Sequence, residues 1–392
     1  MAGTAGIFCI VLSCFFIPFS TSLMGATATL ALVFWLLTGG IFSLPRLMKD
    51  NVTVGLAITL FILIAIAVFY SPAPLSDALE CLKKYRKLVF IAVVFSLFKG
   101  NQGAAKLAED SFVAGCIVLL FLSYGIFFSI IPSERFGSSV VYHITHSLFM
   151  AVLAFWSLQR IFESRQYIYL WLAIFIFTTI NLFYIAPGRT GMLLYITLIF
   201  LTLVQRLSWK KALPATIFIF AVIGIAFVTS NNFSSRAKEA FEEINTYQAE
   251  WSRTSLGMRL DWWRNSRDLI KQKPIFGHGT GSFEKVQDEL SITMRDHSAP
   301  TDNPHNEYLF ISVQTGLVGL ALFVVLLASQ FITSFRLQQP RRYLLQGVIV
   351  AMSVGCLMNS FLHDSHPGHF YAILSAILAT PSINTNPLLS RR

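Results

Sequence analysis

Long apolar stretches separated by short polar connections make up most of the chain. A hydrocarbon core about 30 Å thick needs roughly 20 apolar residues per helix, and windows of that size predict about twelve membrane spans. They are residues 5–20, 23–42, 52–70, 80–98, 110–131, 143–161, 167–186, 190–207, 212–230, 307–334, 343–361 and 367–380. The pattern therefore predicts an all-α polytopic membrane protein.

One connection breaks this pattern. Residues 231–306 form a polar segment with two helical stretches, "SSRAKEAFEEINTYQAEW" and "GMRLDWWRNSRDLIKQ". A loop this long with its own helices is more often functional than a linker. We therefore expect residues 1–230 to hold nine spans, residues 231–306 to form a loop domain, and residues 307–392 to hold three spans and a short tail.

Composition agrees with a membrane location. Hydrophobic residues make up 55% of the chain and charged residues 13%, whereas soluble domains carry roughly 25% charged residues. The five cysteines lie in or beside apolar runs without paired spacing, so they indicate neither a disulfide framework nor a metal cluster. The start of the chain lacks a basic region and a cleavage site, and is expected to be a retained first span.

The formal net charge is +10, which in a membrane protein is first explained by the positive-inside bias rather than by nucleic-acid binding. If the amino terminus is cytoplasmic, the predicted cytoplasmic connections and tail hold Arg46, Lys49, Lys99, Lys106, Arg160, Arg165, Arg206, Lys210, Lys211, Arg336, Arg341, Arg342, Arg391 and Arg392. This alternation predicts that both termini are cytoplasmic and that the loop domain lies on the outer side.

The fourth predicted span begins with positive charge, in the stretch "LKKYRKLVFIAVVFSLFKG". Lys83, Arg86 and Lys87 have the spacing that places side chains on one helical face. Extension of these side chains to the lipid headgroups is one explanation. The other is an anion site, since ionisable residues at membrane depth usually have a function.

A second candidate lies in "YIAPGRTGMLLY", where Pro187 and Gly188 break the chain and Arg189 begins the next helix. The N-terminus of a helix favours an anion, and a guanidinium binds phosphate with two parallel hydrogen bonds. Arg189 is therefore expected to bind an anion, with anchoring to lipid headgroups as the alternative.

The loop helix "GMRLDWWRNSRDLIKQ" adds further arginines. Arg259 and Arg264 lie beside Trp262 and Trp263 and are expected to hold charge near the bilayer. The alternative is an amphipathic helix on the membrane surface with its tryptophans at the interface, which suits the other basic residues of this helix.

A single histidine stands before the tenth span, in "TDNPHNEYLFISVQTGLVGL". An imidazole near its ordinary pKa of about 6.5 can accept a proton at neutral pH. His305 is therefore a candidate general base, which Asp302 or Glu307 would orient. A structural role is the alternative.

Two other motifs could indicate a phosphate loop or a metal site, but their sequences do not support either. "GHGTGSF" is rich in glycine, but no Lys-Ser/Thr pair follows it, so it is expected to be a turn rather than a phosphate loop. "HDSHPGH" lacks a recognised zinc spacing, and no outward-facing Asp-x-Asp pair indicates a divalent-metal site. We expect no metal site.

Three stretches together resemble the O-antigen ligase and polymerase superfamily: "APGRTG", "RLDWWRNSRDLIKQKPIFGHGTGSF" and "DNPHNEYLFISVQTGLVGL". The family pattern is an Arg-bearing turn, a large periplasmic loop with an Arg/Trp helix and a glycine-rich element, and a "H-N-x-Y-L" stretch that enters the next span. The matching positions are Arg189, Arg259, Trp263, Pro274, Gly277, Gly279, Gly281, Phe283, His305, Asn306, Tyr308, Leu309, Gly316 and Gly319.

Within the superfamily, the chain looks most like an O-antigen ligase. The resemblance implies a GT-C-type glycosyltransferase of the bacterial inner membrane with its active site facing the periplasm. It implies transfer of O-antigen from undecaprenyl diphosphate to lipid A–core, with inversion and without a cofactor, a metal or a nucleic-acid partner. The other partners would be membrane lipids.

The resemblance also implies roles for individual residues. His305 would be the general base, and Arg189 would stabilise the leaving diphosphate as a metal ion does elsewhere. The residues that would share the diphosphate are Lys83, Arg86, Lys87, Arg259 and Arg264. The residues that would support His305 are Asp302, Asn306, Glu307 and Tyr308.

Two alternatives remain open. An O-antigen polymerase would use the same donor chemistry with a second lipid-linked glycan as the acceptor. A secondary transporter would also place charge in its spans, but transporters tend to show repeated halves and broken helices at the midplane, and neither is visible here.

Overall fold

The computed structural model describes residues 1–132, 136–163, 165–249, 253–294 and 298–380. Within these ranges all regular secondary structure is helical. The helices are α1 (Ala2–Phe16), α2 (Thr21–Leu37), α3 (Gly40–Asp50), α4 (Val52–Ile66), α5 (Leu75–Lys84), α6 (Lys87–Phe98), α7 (Gln102–Phe127), α8 (His143–Glu163), α9 (Ile168–Ile180), α10 (Arg189–Arg206), α11 (Trp209–Thr229), α12 (Asn231–Asn245), α13 (Ser255–Gln272), α14 (Phe283–Met294), α15 (Glu307–Ser334), α16 (Arg341–Met358) and α17 (Ser365–Ala379), with a π-helical segment at Asn181–Ile185.

The fold is that of an all-helical polytopic membrane protein. By length and composition, three helices of the described ranges can each cross a bilayer: α7, α9 together with the π-helical segment, and α15. Helices α2 and α3 add a pair bent by 95°. The full count of twelve spans, the GT-C architecture and the three-part division of the chain stay predictions.

The polar segment contains three helices, α12, α13 and α14. The first predicted stretch is shorter than expected, since α12 ends at Asn245, and its last two residues lie outside the described ranges, as do Arg391 and Arg392. Side-chain caps start the first two of these helices: Ser230 accepts from the backbone of α12, and Thr254 accepts from that of α13. Such caps satisfy N–H groups that have no partner within the helix.

The prediction of one continuous helix over residues 80–98 is wrong near its start. α5 ends at Lys84 and α6 begins at Lys87. Lys87 is buried, and its Nζ donates to the backbone oxygens of His363 and Asp364 at 2.7 Å each. The expected common basic face is therefore absent, because the interruption turns Lys87 into the protein while Lys83 stays exposed.

The glycine-rich stretch "GHGTGSF" is a packing turn, as expected. The backbone N–H groups of His278 and Gly279 donate to oxygens inside α15 at 2.8 Å each. They meet α15 at a kink, where Gly316 adopts a φ of 67°. A Cβ at Gly316 would lie 2.1 Å from the oxygen of Ile275, so this approach requires glycine. The turn thereby fixes the loop helices to a long apolar helix.

Helix directions define two ends of the bundle. α8 and α10 run in parallel, since Gly191 near the start of α10 packs on Ser147 near the start of α8, and Arg206 at the end of α10 binds Gln159 at the end of α8. α16 runs the opposite way, so its last turn lies beside the start of α10. We call the two ends the Arg189 end and the Arg341 end.

Candidate functional site

A cavity of about 390 Å³ opens at the Arg189 end, between the starts of α8 and α10 and the loop helices α12 and α13. Gly191 permits this geometry, because a Cβ there would lie 2.2 Å from the Cβ of Ser147 on α8. Three arginines line the cavity, Arg189, Arg236 and Arg259, together with Glu239 and Glu243.

Arg189 is the first residue of α10 and reaches toward α12. Its Nη2 donates to Glu243 at 2.8 Å and to Glu239 at 3.2 Å. Its Nε is buried and has no hydrogen-bond partner among the described residues. The guanidinium thus holds two carboxylates and keeps a further donor unpaired.

The two glutamates are bound unequally. Glu239 also contacts Arg236 at 3.2 Å, while the second oxygen of Glu243 accepts from the backbone N–H of Leu256 at the start of α13. Burial acts to raise the pKa of Glu243, but hydrogen bonds from Arg189 and Leu256 outweigh it and leave that pKa below its usual value. Glu243 is therefore held as a carboxylate that joins α10, α12 and α13.

Arg259 contributes positive charge from α13. Its Nη2 donates to Oδ1 of Asn359 at 3.3 Å, and Nδ2 of Asn359 donates to Oγ1 of Thr190 at 3.1 Å. Asn359 is buried and follows the last residue of α16. Burial lowers the pKa of Arg259, but a guanidinium remains protonated at neutral pH. One amide therefore fixes Arg259 relative to the start of α10.

His305 occupies a tight turn before α15, where its φ is 50°. Its ring packs against that of Trp262, with centroids 5.3 Å apart. The neighbouring Trp263 donates from Nε1 to the oxygen of Pro304 at 2.9 Å. Both tryptophans lie on α13, so the helix that carries Arg259 also holds the histidine turn.

The turn between α16 and α17 connects His305 with Arg259. Asn303 accepts a 2.9 Å hydrogen bond from the backbone N–H of His305 and a 3.3 Å hydrogen bond from Oγ of Ser360. Ser360 directly follows Asn359, which binds Arg259. His305 itself does not line the 390 Å³ cavity.

The electrostatic environment keeps His305 neutral. Burial, and then the charge of Arg259, lower its pKa to about 4, against a smaller opposing effect of Asp302. Within the described ranges neither Asp302 nor Glu307 accepts a hydrogen bond from the ring, so the expected orienting contact is not formed. With its pKa near 4 the imidazole is neutral at pH 7, and it is a weaker base than an unperturbed histidine.

The residues expected to support His305 make structural contacts. Asn306 caps α15 and donates to the oxygen of Leu357 at 3.1 Å. Glu307 is buried, and its carboxylate accepts from the hydroxyl of Tyr85 and from two backbone N–H groups of the α16–α17 turn. Tyr308 donates to the oxygen of Ser353. These contacts hold the end of α16 against the start of α15.

The remaining predicted basic residues lie apart from the cavity lining. Arg264 contacts Asp261 at 3.6 Å, one turn earlier on α13. Arg86 donates to the backbone oxygen of Lys83, and Lys87 binds the α16–α17 turn from within the protein. The structure thus brings Arg189 and Arg259 together, and leaves their sharing of a ligand with these other cations a prediction.

The histidines of "HDSHPGH" face separate partners. The ring of His363 packs on Phe310 with centroids 5.0 Å apart. His366 donates from Nδ1 to the oxygen of Ile17, and His369 donates to that of Ser365. Within the described ranges no group of three or more His, Cys, Asp or Glu side chains could hold a metal ion.

Sequence reasoning missed four residues of the site, Arg236, Glu239, Glu243 and Asn359. Glu239 and Glu243 are four residues apart in a predicted helical stretch, and this spacing places both on one face, which was a usable signal. Asn359 gave none, because an amide at the end of an apolar span resembles an ordinary helix end.

One comparison, with a protein-family model, matches this part of the chain. Residues 171–324, which contain Arg189, Arg259 and His305, match the family model described as O-antigen ligase, and the superfamily resemblance is confirmed over that range. An uncharacterized protein of Haemophilus influenzae is 35% identical over 129 residues, covering 31% of this chain and 32% of that protein. An O-antigen polymerase of Salmonella muenchen is 28% identical over 129 residues, covering 33% of this chain and 30% of the relative. The matched part therefore spans about a third of each relative's length.

Proposed function

We propose that the chain transfers a glycan from a lipid diphosphate carrier to a sugar hydroxyl on the periplasmic side of the bacterial inner membrane. The observation that carries this proposal is the cavity at the Arg189 end, which gathers three arginines inside the range matched by the O-antigen ligase family. Loss of a diphosphate leaving group develops negative charge, and fixed cations stabilise that charge in a site shielded from water.

Arg189 and Arg259 are the proposed ligands of the diphosphate. Arg189 begins α10, so the positive end of the helix dipole adds to its charge. Its buried Nε offers a donor without a partner in the described structure. Arg259 has an amide rather than a carboxylate as its hydrogen-bond partner, so its charge remains available to an anion.

In the proposed reaction, the oxygen of the acceptor hydroxyl forms a bond to the anomeric carbon on the face opposite the diphosphate. The hydroxyl proton passes to the neutral imidazole of His305. The bond between the anomeric carbon and the phosphate oxygen breaks, and its electron pair leaves with the diphosphate. Attack from the opposite face inverts the configuration at this carbon.

The carboxylates of α12 must leave Arg189 when the lipid-linked glycan donor binds. Glu239 and Glu243 both accept from one nitrogen of Arg189, Nη2, and so occupy a donor that a phosphate oxygen would use. We propose that the incoming diphosphate replaces them, so that α12 covers the site when no donor is bound.

For the acceptor we propose lipid A–core, with undecaprenyl diphosphate-linked O-antigen as the donor. The description of the matching family, O-antigen ligase, supports this choice. The second candidate is polymerisation onto another lipid-linked glycan, which the similarity to the O-antigen polymerase of Salmonella muenchen supports.

The test is a transfer assay with purified full-length protein and lipid-linked O-antigen, offered either lipid A–core or a second lipid-linked glycan. A ligase extends lipid A–core, whereas a polymerase lengthens the lipid-linked glycan. Arg189→Ala is expected to lower kcat by about 10²–10³-fold, the loss typical of a group that stabilises transition-state charge. Arg267→Ala is the matched control, because Arg267 is exposed on α13 and contacts Asp268 outside the cavity.

Transfer to neither acceptor, with a folded protein, would overturn the proposed function. Wild-type turnover by Arg189→Ala would retain glycan transfer but remove Arg189 from the mechanism.

A further inference from the structure

A second charged cavity lies at the opposite, Arg341 end of the bundle. Its volume is about 510 Å³, and it lies between the starts of α7 and α16 and the ends of α8 and α17. Four cationic side chains line it, Lys106, Arg160, Arg336 and Arg341, and Glu109 is the acidic residue among those that line it. The proposed glycan transfer uses none of these residues.

The acidic groups here are already paired. Arg160 binds both Glu109 and Asp110, and Lys106 lies 2.6 Å from Asp110. Within the part of the chain that the structure describes, no carboxylate lies within ion-pair distance of Arg336 or Arg341. The cavity therefore retains positive charge after its internal ion pairs are formed.

The two unpaired guanidinium groups border the same short connection between α15 and α16. Arg336 is exposed. Arg341 is partly buried and donates from Nη1 to the backbone oxygen of Thr380 at 3.1 Å. Arg341 is also the first residue of α16, and the preceding Pro340 provides no side-chain cap. The positive end of this helix dipole thus points toward the cavity and favours an anion.

Two exposed apolar residues are sequence neighbours of cations in this lining. Phe335, next to Arg336, is 52% exposed, and Leu107, next to Lys106, is 56% exposed. Positive charge beside exposed apolar surface suits a molecule with an anionic head and a hydrocarbon tail. Basic pockets between membrane helices on the cytoplasmic side bind anionic lipid headgroups, and these cations belong to the connections predicted to be cytoplasmic.

We propose that this cavity, the basic pocket, binds the phosphate of an anionic phospholipid headgroup through Arg336 and Arg341. The guanidinium groups donate to the phosphate oxygens, which are strong acceptors with the geometry that arginine matches. The acyl chains lie along the apolar surface beside Phe335 and Leu107.

The test measures lipid retention by native mass spectrometry of the full-length protein in a neutral detergent. The probes are dioleoylphosphatidylglycerol and, as the uncharged comparison, dioleoylphosphatidylcholine. We expect the wild type to retain phosphatidylglycerol more strongly. The double variant Arg336→Gln/Arg341→Gln is expected to weaken that binding about 25-fold, since each basic residue near an anionic surface contributes about fivefold.

The matched control is Lys210→Gln/Lys211→Gln, which removes two exposed cations of a predicted cytoplasmic connection outside the basic pocket. Its binding of phosphatidylglycerol is expected to stay within about twofold of the wild type. Far-ultraviolet circular dichroism and size-exclusion chromatography establish that each variant is folded.

Three results would overturn the proposal: equal retention of the two lipids by the wild type, equal losses in the pocket variant and in the control, or displacement of phosphatidylglycerol by millimolar inorganic phosphate. The last result would assign the pocket to a soluble phosphate. Glycan transfer is assayed separately, so failure here leaves the proposed function standing.

Discussion

A hydrogen bond of 2.8 Å joins Nη2 of Arg189 to Oε1 of Glu243. The arginine begins α10 and the glutamate lies on α12, so this contact closes a loop helix over the start of a helix in the bundle. A guanidinium binds carboxylate and phosphate with the same fork of donors. When the lipid-linked glycan donor binds, its diphosphate is therefore expected to replace a carboxylate at Arg189, since this guanidinium already has anionic partners.

Removing one competing carboxylate should strengthen donor binding. Glu239→Gln eliminates a charge that contacts Arg189 and Arg236, while Glu243 continues to hold the start of α13. Partly exposed ion pairs contribute ~0.2–1 kcal/mol, so the KM for the lipid-linked donor should fall by roughly 1.4-fold to fivefold. Steady-state kinetics with varied donor concentration measure this change.

Glu242→Gln controls for the loss of one negative charge from α12, because Glu242 is exposed on the same helix and does not line the cavity. Its KM should match that of the wild type. An increase in KM for Glu239→Gln would show that the carboxylate assists donor binding instead of competing with it.

Asn359 should act through Arg259. Asn359→Ala removes the amide that fixes Arg259 to Thr190, and kcat is expected to fall about tenfold, equivalent to ~1.4 kcal/mol of activation free energy. A double-mutant cycle with Arg259→Ala should be non-additive by about 0.5–3 kcal/mol, since the two residues share one contact. Gln330→Ala is the control, because Gln330 is a buried amide that binds Ser375 in another part of the bundle. Additive effects would contradict a positioning role.

Transfer should persist at acidic pH. Burial, and then the charge of Arg259, lower the pKa of His305 to about 4, so the neutral base is present well below its ordinary pKa of about 6.5. Arg259→Gln removes a nearby cation, which raises this pKa and moves the acidic limb to higher pH. Single-turnover rates measured between about pH 4 and 8 test this shift.

Two further outcomes bear on His305. His305→Ala should lower the rate of transfer by about 10²–10⁴-fold, as expected for a general base.

Protonation of His305 should also affect stability. The unfolded chain takes up the imidazole proton below about pH 6.5 and the folded protein only near pH 4. The free energy of unfolding should therefore decrease as pH falls through that window, and less so in His305→Gln. An acidic limb near pH 6.5 in the wild type would contradict the proposed environment.

Chelators should leave transfer intact. The proposed stabilisation of the diphosphate uses Arg189 and Arg259, which supply the charge that a divalent ion supplies in other glycosyl transfers. Rates with excess EDTA should stay within about twofold of the untreated rate. A strict requirement for Mg²⁺, restored by adding the ion back, would contradict this use of arginines.

Gly316→Ala should loosen the loop helices from α15. With φ 67° and ψ −166°, Gly316 lies in a backbone region that is essentially restricted to glycine and costs other residues about 1–3 kcal/mol. The new Cβ would also overlap the oxygen of Ile275 at 2.1 Å. The expected result is a lower Tm in detergent and a reduced rate of transfer. Gly224→Ala is the control, since no atom lies within 4 Å of the added Cβ. Equal Tm values for the two variants would contradict the packing argument.

Several parts of the fold and site were predictable because they depend on local physics. Apolar windows located most helices, since burying a backbone in hydrocarbon requires internal hydrogen bonds. The Pro187–Gly188 break placed Arg189 at a helix start, and "GHGTGSF", which no Lys-Ser/Thr pair follows, was expected to be a turn. These features arise within about ten residues of the chain and need no distant partner.

Other features depended on contacts between distant segments. The helix break before Lys87 allows its ammonium group to donate to the backbone oxygens of His363 and Asp364, which are more than 270 residues away. The pairing of Arg189 with Glu243 joins helices α10 and α12, and Asn359 reaches Arg259 across 100 positions. Hydrophobic periodicity specifies which face of a helix is buried, but not which neighbour covers it.

The sequence by itself determined a helical membrane protein with a polar helical segment at residues 231–306, and it identified Arg189, Arg259 and His305 as candidates. Only the tertiary structure decided that Arg189 and Arg259 share a cavity, that two carboxylates occupy Arg189, and that His305 is joined to Arg259 through Asn303, Ser360 and Asn359. The reason is that hydrogen bonds and ion pairs act over a few ångströms, and packing decides which distant residues come that close.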